Sequence, residues 1–155
     1  MDNVDNVNLE YTVDKATTEE LLEFFKLSDK FFDPPLHSFV DLEAYAVKIR
    51  TLARTFEVWD NGRLVGYTAA YINDVNKKDA YGLNFSILPE YRKKYNISQE
   101  IGKMLFDTIR QEGFERLIFE VQKKATSLVE YYYKYGYEYL GDKNEDYVIM
   151  GLKLK

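Results

Sequence analysis

The sequence predicts a mixed α/β domain, and three observations carry the prediction. Apolar residues alternate with polar ones at Leu9, Tyr11 and Val13, and an Asn61-Gly62 pair sits between two apolar runs, so β-strands and a tight hairpin are expected. Apolar sets at helical spacing recur at Leu21 to Leu27, Leu42 to Ala53 and Ile101 to Ile109. The two kinds of pattern interleave along the chain. With 155 residues, 46% of them hydrophobic, the chain suits one domain with its own core and excludes a two-domain enzyme. No repeat, low-complexity tract or Pro/Gly-rich linker divides it, and it has only three prolines.

Met1 to Val7 reads as a frayed lead-in before a first strand at Leu9 to Val13. Thr17 or Thr18, followed by Glu19 and Glu20, caps an amphipathic helix through Leu21, Phe24, Phe25 and Leu27. Asp33-Pro34-Pro35 forces extended or turn backbone, and Asp41 caps a second helix that ends before Phe56. Phe56 to Trp59, the Asp60-Asn61-Gly62 turn and Leu64 to Ile72 form a hairpin, because Asn-Gly tolerates the positive φ angles of a two-residue turn. After a polar loop at Asn73 to Asp79, a strand through Tyr81, Leu83, Phe85 and Ile87 ends at Pro89. A long helix opens at Ser98 and stops at Gly113, and the apolar run Leu117 to Val121 reads as a strand covered on both faces. Ala125 to Tyr135 is helical and closed by Gly136, and two last strands begin at Tyr137 and span Tyr147 to Leu154.

Composition removes whole classes of function. Net charge is −5, which speaks against a generic binder of nucleic acid or anionic membrane, so any anion site must be local. Without cysteine there is no thiolate nucleophile, disulfide framework or Cys-type zinc site. His37 is the only histidine, so neither a Ser-His triad nor a His-based metal cluster can be assembled, and it reads as a loop residue that could line an acceptor pocket. No apolar run approaches the ~18 residues of a membrane span, and the acidic, polar start is unlike a signal peptide, so a cytoplasmic protein is expected. Fourteen tyrosines remain to be explained.

One segment rises above this background. The strand ending Ile87-Leu88-Pro89 runs into the basic tripeptide Arg92-Lys93-Lys94 and then Tyr95-Asn96-Ile97-Ser98, which opens a helix. Unpaired amides and the positive end of the helix dipole make such a junction suited to phosphate or pyrophosphate. The tripeptide taken alone reads first as a solvated basic turn, because charge runs usually lie on the surface.

Pro89-Glu90-Tyr91-Arg92 and the order of elements from Leu9 to Leu154 resemble the GCN5-related N-acetyltransferase (GNAT) family, whose acetyl-CoA motif runs from a strand through proline to R-x-x-G-x-G/A and a helix. The loop after Arg92 departs from the motif by lacking both glycines. Allowing one inserted residue places Asn96 and Ser98 at the glycine positions, where Asn tolerates left-handed backbone and Ser is small. Without the insertion, Tyr95 and Ile97 would stand there and crowd a pyrophosphate. A second match follows: Leu117-Ile118-Phe119-Glu120-Val121, then Tyr132-Tyr133-Lys134-Tyr135-Gly136-Tyr137. Many relatives place an asparagine where this chain has Ala125.

The resemblance implies a three-layer fold around a mostly antiparallel sheet of six to seven strands with helices on both faces. It implies acetyl-CoA as co-substrate, its pyrophosphate at Arg92 to Ser98 and its pantetheine arm held as an extra strand by the backbone at Phe85 and Ile87. By analogy with the ribosomal-protein acetyltransferases of the family, Glu120 is the general base and Tyr132, twelve residues later, the general acid. Read without the family, Tyr132 is a core ring with its hydroxyl at the surface, and Glu120 accepts backbone or Lys hydrogen bonds or faces solvent. Asn73 and Asp74 could touch an acceptor amine or simply form the turn. The first two helices and the loop Phe31 to Phe39 would form an acceptor wall with Phe32, Tyr45, Trp59 and Tyr71. The expected activity is transfer of an acetyl group to a primary amine of a small molecule or peptide, without metal, nucleic acid or membrane as partner. The rival is a non-catalytic, CoA-binding or regulatory member of the same fold, compatible with a homodimer.

Overall fold

The computed structural model describes residues 7–93 and 95–154. The lead-in expected at Met1 to Val7 lies outside them apart from Val7. In chain order the elements are β1 (Leu9–Val13), α1 (Thr18–Ser28), α2 (Leu42–Leu52), β2 (Arg54–Asp60), β3 (Arg63–Tyr71), β4 (Asp79–Ile87), α3 (Ile97–Gln111), β5 (Arg116–Gln122), α4 (Thr126–Lys134), β6 (Glu138–Asp142) and β7 (Tyr147–Lys153). Short 3₁₀ turns at Asp29–Phe31, Leu36–Ser38 and Pro89–Tyr91 had no sequence signal. The strands form a sheet in the order β1-β2-β3-β4-β5-β7-β6, mostly antiparallel, with β4 and β5 parallel. The backbone divides into two compact units: residues up to Ala69 with Asn84–Leu105, and Ala70–Leu83 with the chain from Phe106 on.

In the first unit the local signals are realised closely. Thr17 caps α1: its hydroxyl accepts from the Glu20 amide at 3.1 Å, and Glu20 accepts from the Thr17 amide at 3.0 Å. Asp41 caps α2 by accepting from Glu43 N–H at 3.3 Å. Asn61 and Gly62 both have positive φ, 50° and 84°, the geometry that lets two right-twisted strands meet in a two-residue turn. Phe24 and Phe25 from α1 set their ring edges against buried Tyr67 at 5.9 and 5.4 Å.

β2 is buried from Thr55 to Trp59, and one of those residues is Glu57, 0% exposed. Its carboxylate accepts from Thr12 Oγ1 (2.6 Å), Lys15 N (3.1 Å), Ala16 N (3.0 Å) and Thr55 Oγ1 (2.5 Å). The side chain therefore ties the β1–α1 connection to β2. Arg50 adds bonds to the Ala16 carbonyl (2.8 Å) and Thr55 Oγ1 (3.0 Å).

In the second unit β5 pairs antiparallel with β7 from Arg116↔Lys153 to Gln122↔Tyr147, but its parallel ladder to β4 takes in only Asp79–Tyr81. That short ladder leaves β5 less covered than its apolar run suggests: only Leu117 and Val121 are fully buried. Val121, Val148 and Met150 form a small core joined by Phe119, Val129, Tyr132 and Tyr137.

Candidate active site

In the first unit, the backbone turns sharply after β4. Lys93 and Asn96 both take positive φ, 63° and 54°, and Asn96 C=O accepts the first helical bond of α3 from Glu100 N–H at 3.1 Å. Asn96 thus stands at a left-handed position, which its short polar side chain tolerates. Ser98 lies exposed in the first turn of α3. Ile97 is 2% exposed, with its side chain near Gly66, so it can offer a ligand only main-chain groups. Lys94 lies outside the described residues.

The loop is fastened at its start. The Tyr91 hydroxyl hydrogen-bonds Asp60, and the Tyr91 ring packs on Tyr95 at 6.0 Å. The hydrogen bond from Tyr91, with one from the Asn8 amide, holds Asp60 below the usual carboxylate range, while burial and then Asp60 push Tyr91 up. Arg92 turns back along the strand: its Nε donates to the Ile87 carbonyl at 2.7 Å and its guanidinium lies 5.5 Å from the Phe31 ring centroid. Phe31, Phe32, Phe85, Ser86, Ile87 and Arg92 line a cleft of about 320 Å³. Residues expected in the donor site (Phe85, Ile87, Arg92) and the acceptor wall (Phe32) are thereby brought together. Trp59 is not among them: its ring is buried and Nε1 donates to Thr12 Oγ1 at 2.7 Å. His37 is exposed and clipped to Asp29, whose carboxylate lies 2.6 Å from Nδ1 and accepts from the His37 amide at 2.7 Å.

The second unit carries Glu120 and Tyr132. Glu120 Oε2 accepts from the Tyr81 hydroxyl and, at 2.6 Å, from Lys143 Nζ in the β6–β7 turn. Its side chain is 24% exposed. Tyr81 pairs with Ile118 across the parallel ladder and so shares a face with Ile118 and Glu120. Tyr132 packs against the face carrying Phe119 and Val121, its ring 4.8 Å from Phe119 and 5.0 Å from Tyr137. Because strand side chains alternate, Glu120 and Tyr132 lie on opposite faces of β5. Asp74 accepts from the amides of Asn76 (3.1 Å) and Lys78 (3.3 Å), the turn-forming role.

Burial, then repulsion from Tyr131, raises Tyr132; burial, then Tyr132 and Tyr131, pushes Tyr137 up to about 12. Spectrophotometric titration of the phenols should accordingly show a class that ionises near pH 12. An unfolded tyrosine loses its proton near 10.0 and Tyr137 only near 12, so the unfolded state binds fewer protons in that window and stability falls as pH rises through it.

Sequence reasoning allowed Glu120 a Lys partner without locating Lys143, and it missed Tyr81. The parallel register of β4 on β5 would have pointed to Tyr81; no local pattern marks Lys143. Among the described residues no group of three or more His, Cys, Asp or Glu could hold a metal ion, and no helix is long and apolar enough to cross a membrane.

The family model described as the acetyltransferase (GNAT) family matches residues 14–137. No match is found among curated protein sequences. Among solved structures, the ribosomal-protein-S18-alanine N-acetyltransferase from Escherichia coli is 16% identical with a TM-score of 0.70, covering 94% of this chain and 95% of its own. PaiA N-acetyltransferase from Thermoplasma acidophilum, in complex with coenzyme A, is 16% identical with a TM-score of 0.68 over 94% and 99%. Aminoglycoside 6′-acetyltransferase type Ii is 12% identical with a TM-score of 0.72 over 96% and 97%. The family-model match over residues 14–137 takes in most of the chain: this chain belongs to the GNAT acetyltransferase family.

Proposed function

We propose that this chain transfers an acetyl group from acetyl-CoA to a primary amine of a small molecule or peptide by direct attack. The observation that carries the reading is Glu120, a partly sheltered carboxylate that holds a primary ammonium, Lys143 Nζ, at 2.6 Å. An acceptor amine seated in that way has a proton acceptor within hydrogen-bond reach.

The residues present fit the donor. The turn through Asn96 presents the first amides of the 15-residue helix α3, and Arg92 and Lys93 add positive charge. The backbone of β4 runs on beyond its ladder with β5 to Ile87, so main-chain groups can hold an extended arm whatever the side chains. Acetyl-CoA supplies an activated thioester acetyl. Glu120 accepts the amine proton and Tyr81 orients its carboxylate. Tyr132, kept protonated by burial, donates to the departing sulfur. Placed on opposite faces of one strand, the two can both serve a thioester only at the strand's edge or end, which this assignment requires.

Calorimetry with acetyl-CoA and release of free thiol with a panel of amines test the reading together. Failure to bind at near-millimolar concentration overturns it. Binding without thiol release from any amine favours a non-catalytic CoA-binding module, a reading to which the occupied Oε2 of Glu120 and the glycine-free loop give specific support. Tyr132→Phe should lower kcat roughly tenfold or more and leave acetyl-CoA affinity nearly unchanged, because it removes only a transition-state proton donor.

A further inference from the structure

We propose that Lys143 is itself an acceptor, acetylated in cis by its own chain; the inference rests on the acetyltransferase reading above. Three groups make the case. Lys143 Nζ, a nucleophile once its ammonium has given up a proton, lies 2.6 Å from Glu120 Oε2, Glu120 is a base within hydrogen-bond reach of it, and the Tyr81 hydroxyl on the same oxygen orients the base. A nucleophile, its base and a group that orients the base is the arrangement by which weak nucleophiles are activated.

The turn that carries Lys143 is ordered rather than loose. Lys143 N–H donates to the Tyr147 carbonyl at 2.9 Å, and Asn144 Oδ1 accepts from the amides of Asp146 and Tyr147 at 2.8 and 3.0 Å. Lys123 bonds Asp142 at 2.9 Å and Tyr139 bonds it at 2.7 Å, holding the residue before Lys143. The Lys143 side chain is 47% exposed, so the amine is accessible.

The reaction balances. The Nζ lone pair forms an N–C bond to the thioester carbonyl carbon, the C–S bond breaks, and its electron pair leaves on the CoA sulfur. The ammonium gives one proton to Glu120 before attack and a second leaves nitrogen as the amide forms; one ends on the CoA sulfur and the other passes from Glu120 to water, which restores the carboxylate. The product amide carries no charge, so the ion pair to Glu120 is lost and the carboxylate keeps only the Tyr81 hydroxyl.

The full chain is incubated with isotopically labelled acetyl-CoA, and acetylation of each lysine is followed by peptide mass spectrometry alongside calorimetric binding and turnover of the amine panel. Lys143 should be labelled on the order of a hundredfold faster than the median surface lysine. Its rate should be independent of protein concentration, as transfer within one chain requires. Glu120→Gln, with folding checked by circular dichroism, should bring Lys143 down to the rate of the others. Binding with Lys143 labelled no faster than other lysines, or labelled equally fast in Glu120→Gln, overturns the proposal and leaves the transferase reading intact. Absence of acetyl-CoA binding overturns both, and is distinguished from the first result by the calorimetry.

Discussion

Glu57→Ala should lower the free energy of unfolding by about 2–4 kcal/mol, because it leaves buried amide donors without an acceptor at about 1–3 kcal/mol each. At roughly 2–4 °C per kcal/mol for a chain of this size, the thermal midpoint should drop by on the order of 10 °C. Glu57 is fully buried and accepts four hydrogen bonds, two from the amides of Lys15 and Ala16 and two from the hydroxyls of Thr12 and Thr55. Hydroxyls can rotate to new partners, but the Ala16 amide belongs to a residue only 1% exposed and would be left without an acceptor. Glu57→Gln keeps one carbonyl oxygen and turns an NH₂ toward groups that are themselves donors, so it should cost about half as much. Denaturant unfolding followed by circular dichroism measures both, and a loss below ~1 kcal/mol for the alanine variant would show that the network is not what joins β1–α1 to β2.

Glu120→Gln should lower kcat for acetyl transfer by roughly 10²- to 10³-fold, the usual contribution of a positioned general base, with little change in acetyl-CoA affinity. The amide cannot take a proton from the amine, and it also loses the ionic bond to Lys143. Tyr81→Phe separates the two effects. It leaves the carboxylate in place but removes the hydroxyl that orients it, so kcat should fall by less, about five- to tenfold, while KM moves little. Undiminished turnover in Glu120→Gln would assign proton removal to another group or to water.

Local chemistry made most of the fold legible. Thr17 with Glu20, Asp41, and the Asn61-Gly62 pair each act through bonds or φ angles within a few residues, and each stands where the sequence indicates. Asn96 belongs with them, because a left-handed position can be recognised from the residue that tolerates it. Contacts that join distant segments stayed hidden. Glu120 meets Tyr81 across 39 residues and Lys143 across 23, and Glu57 meets Thr12 across 45. Strand periodicity shows that a side chain faces one side of the sheet, but the neighbour on that side depends on register, which no local pattern encodes. The opposite placement of Glu120 and Tyr132 on β5 follows from alternation alone once α4 is known to cover Phe119 and Val121.

The missing glycines in the loop after Arg92 have an entropic consequence. A glycine-rich loop samples many backbone states when empty, and a ligand must select one of them. Here the Tyr91–Asp60 bond, the Tyr91–Tyr95 ring contact and the Arg92 bond to the Ile87 carbonyl already restrict the segment. Each glycine replaced by a residue that tolerates the required φ narrows the empty ensemble by about 0.4–1 kcal/mol. Under the proposed function, such contacts trade the close backbone approach that glycine permits for less ordering on binding, so affinity for the CoA phosphates would depend more on the charges presented.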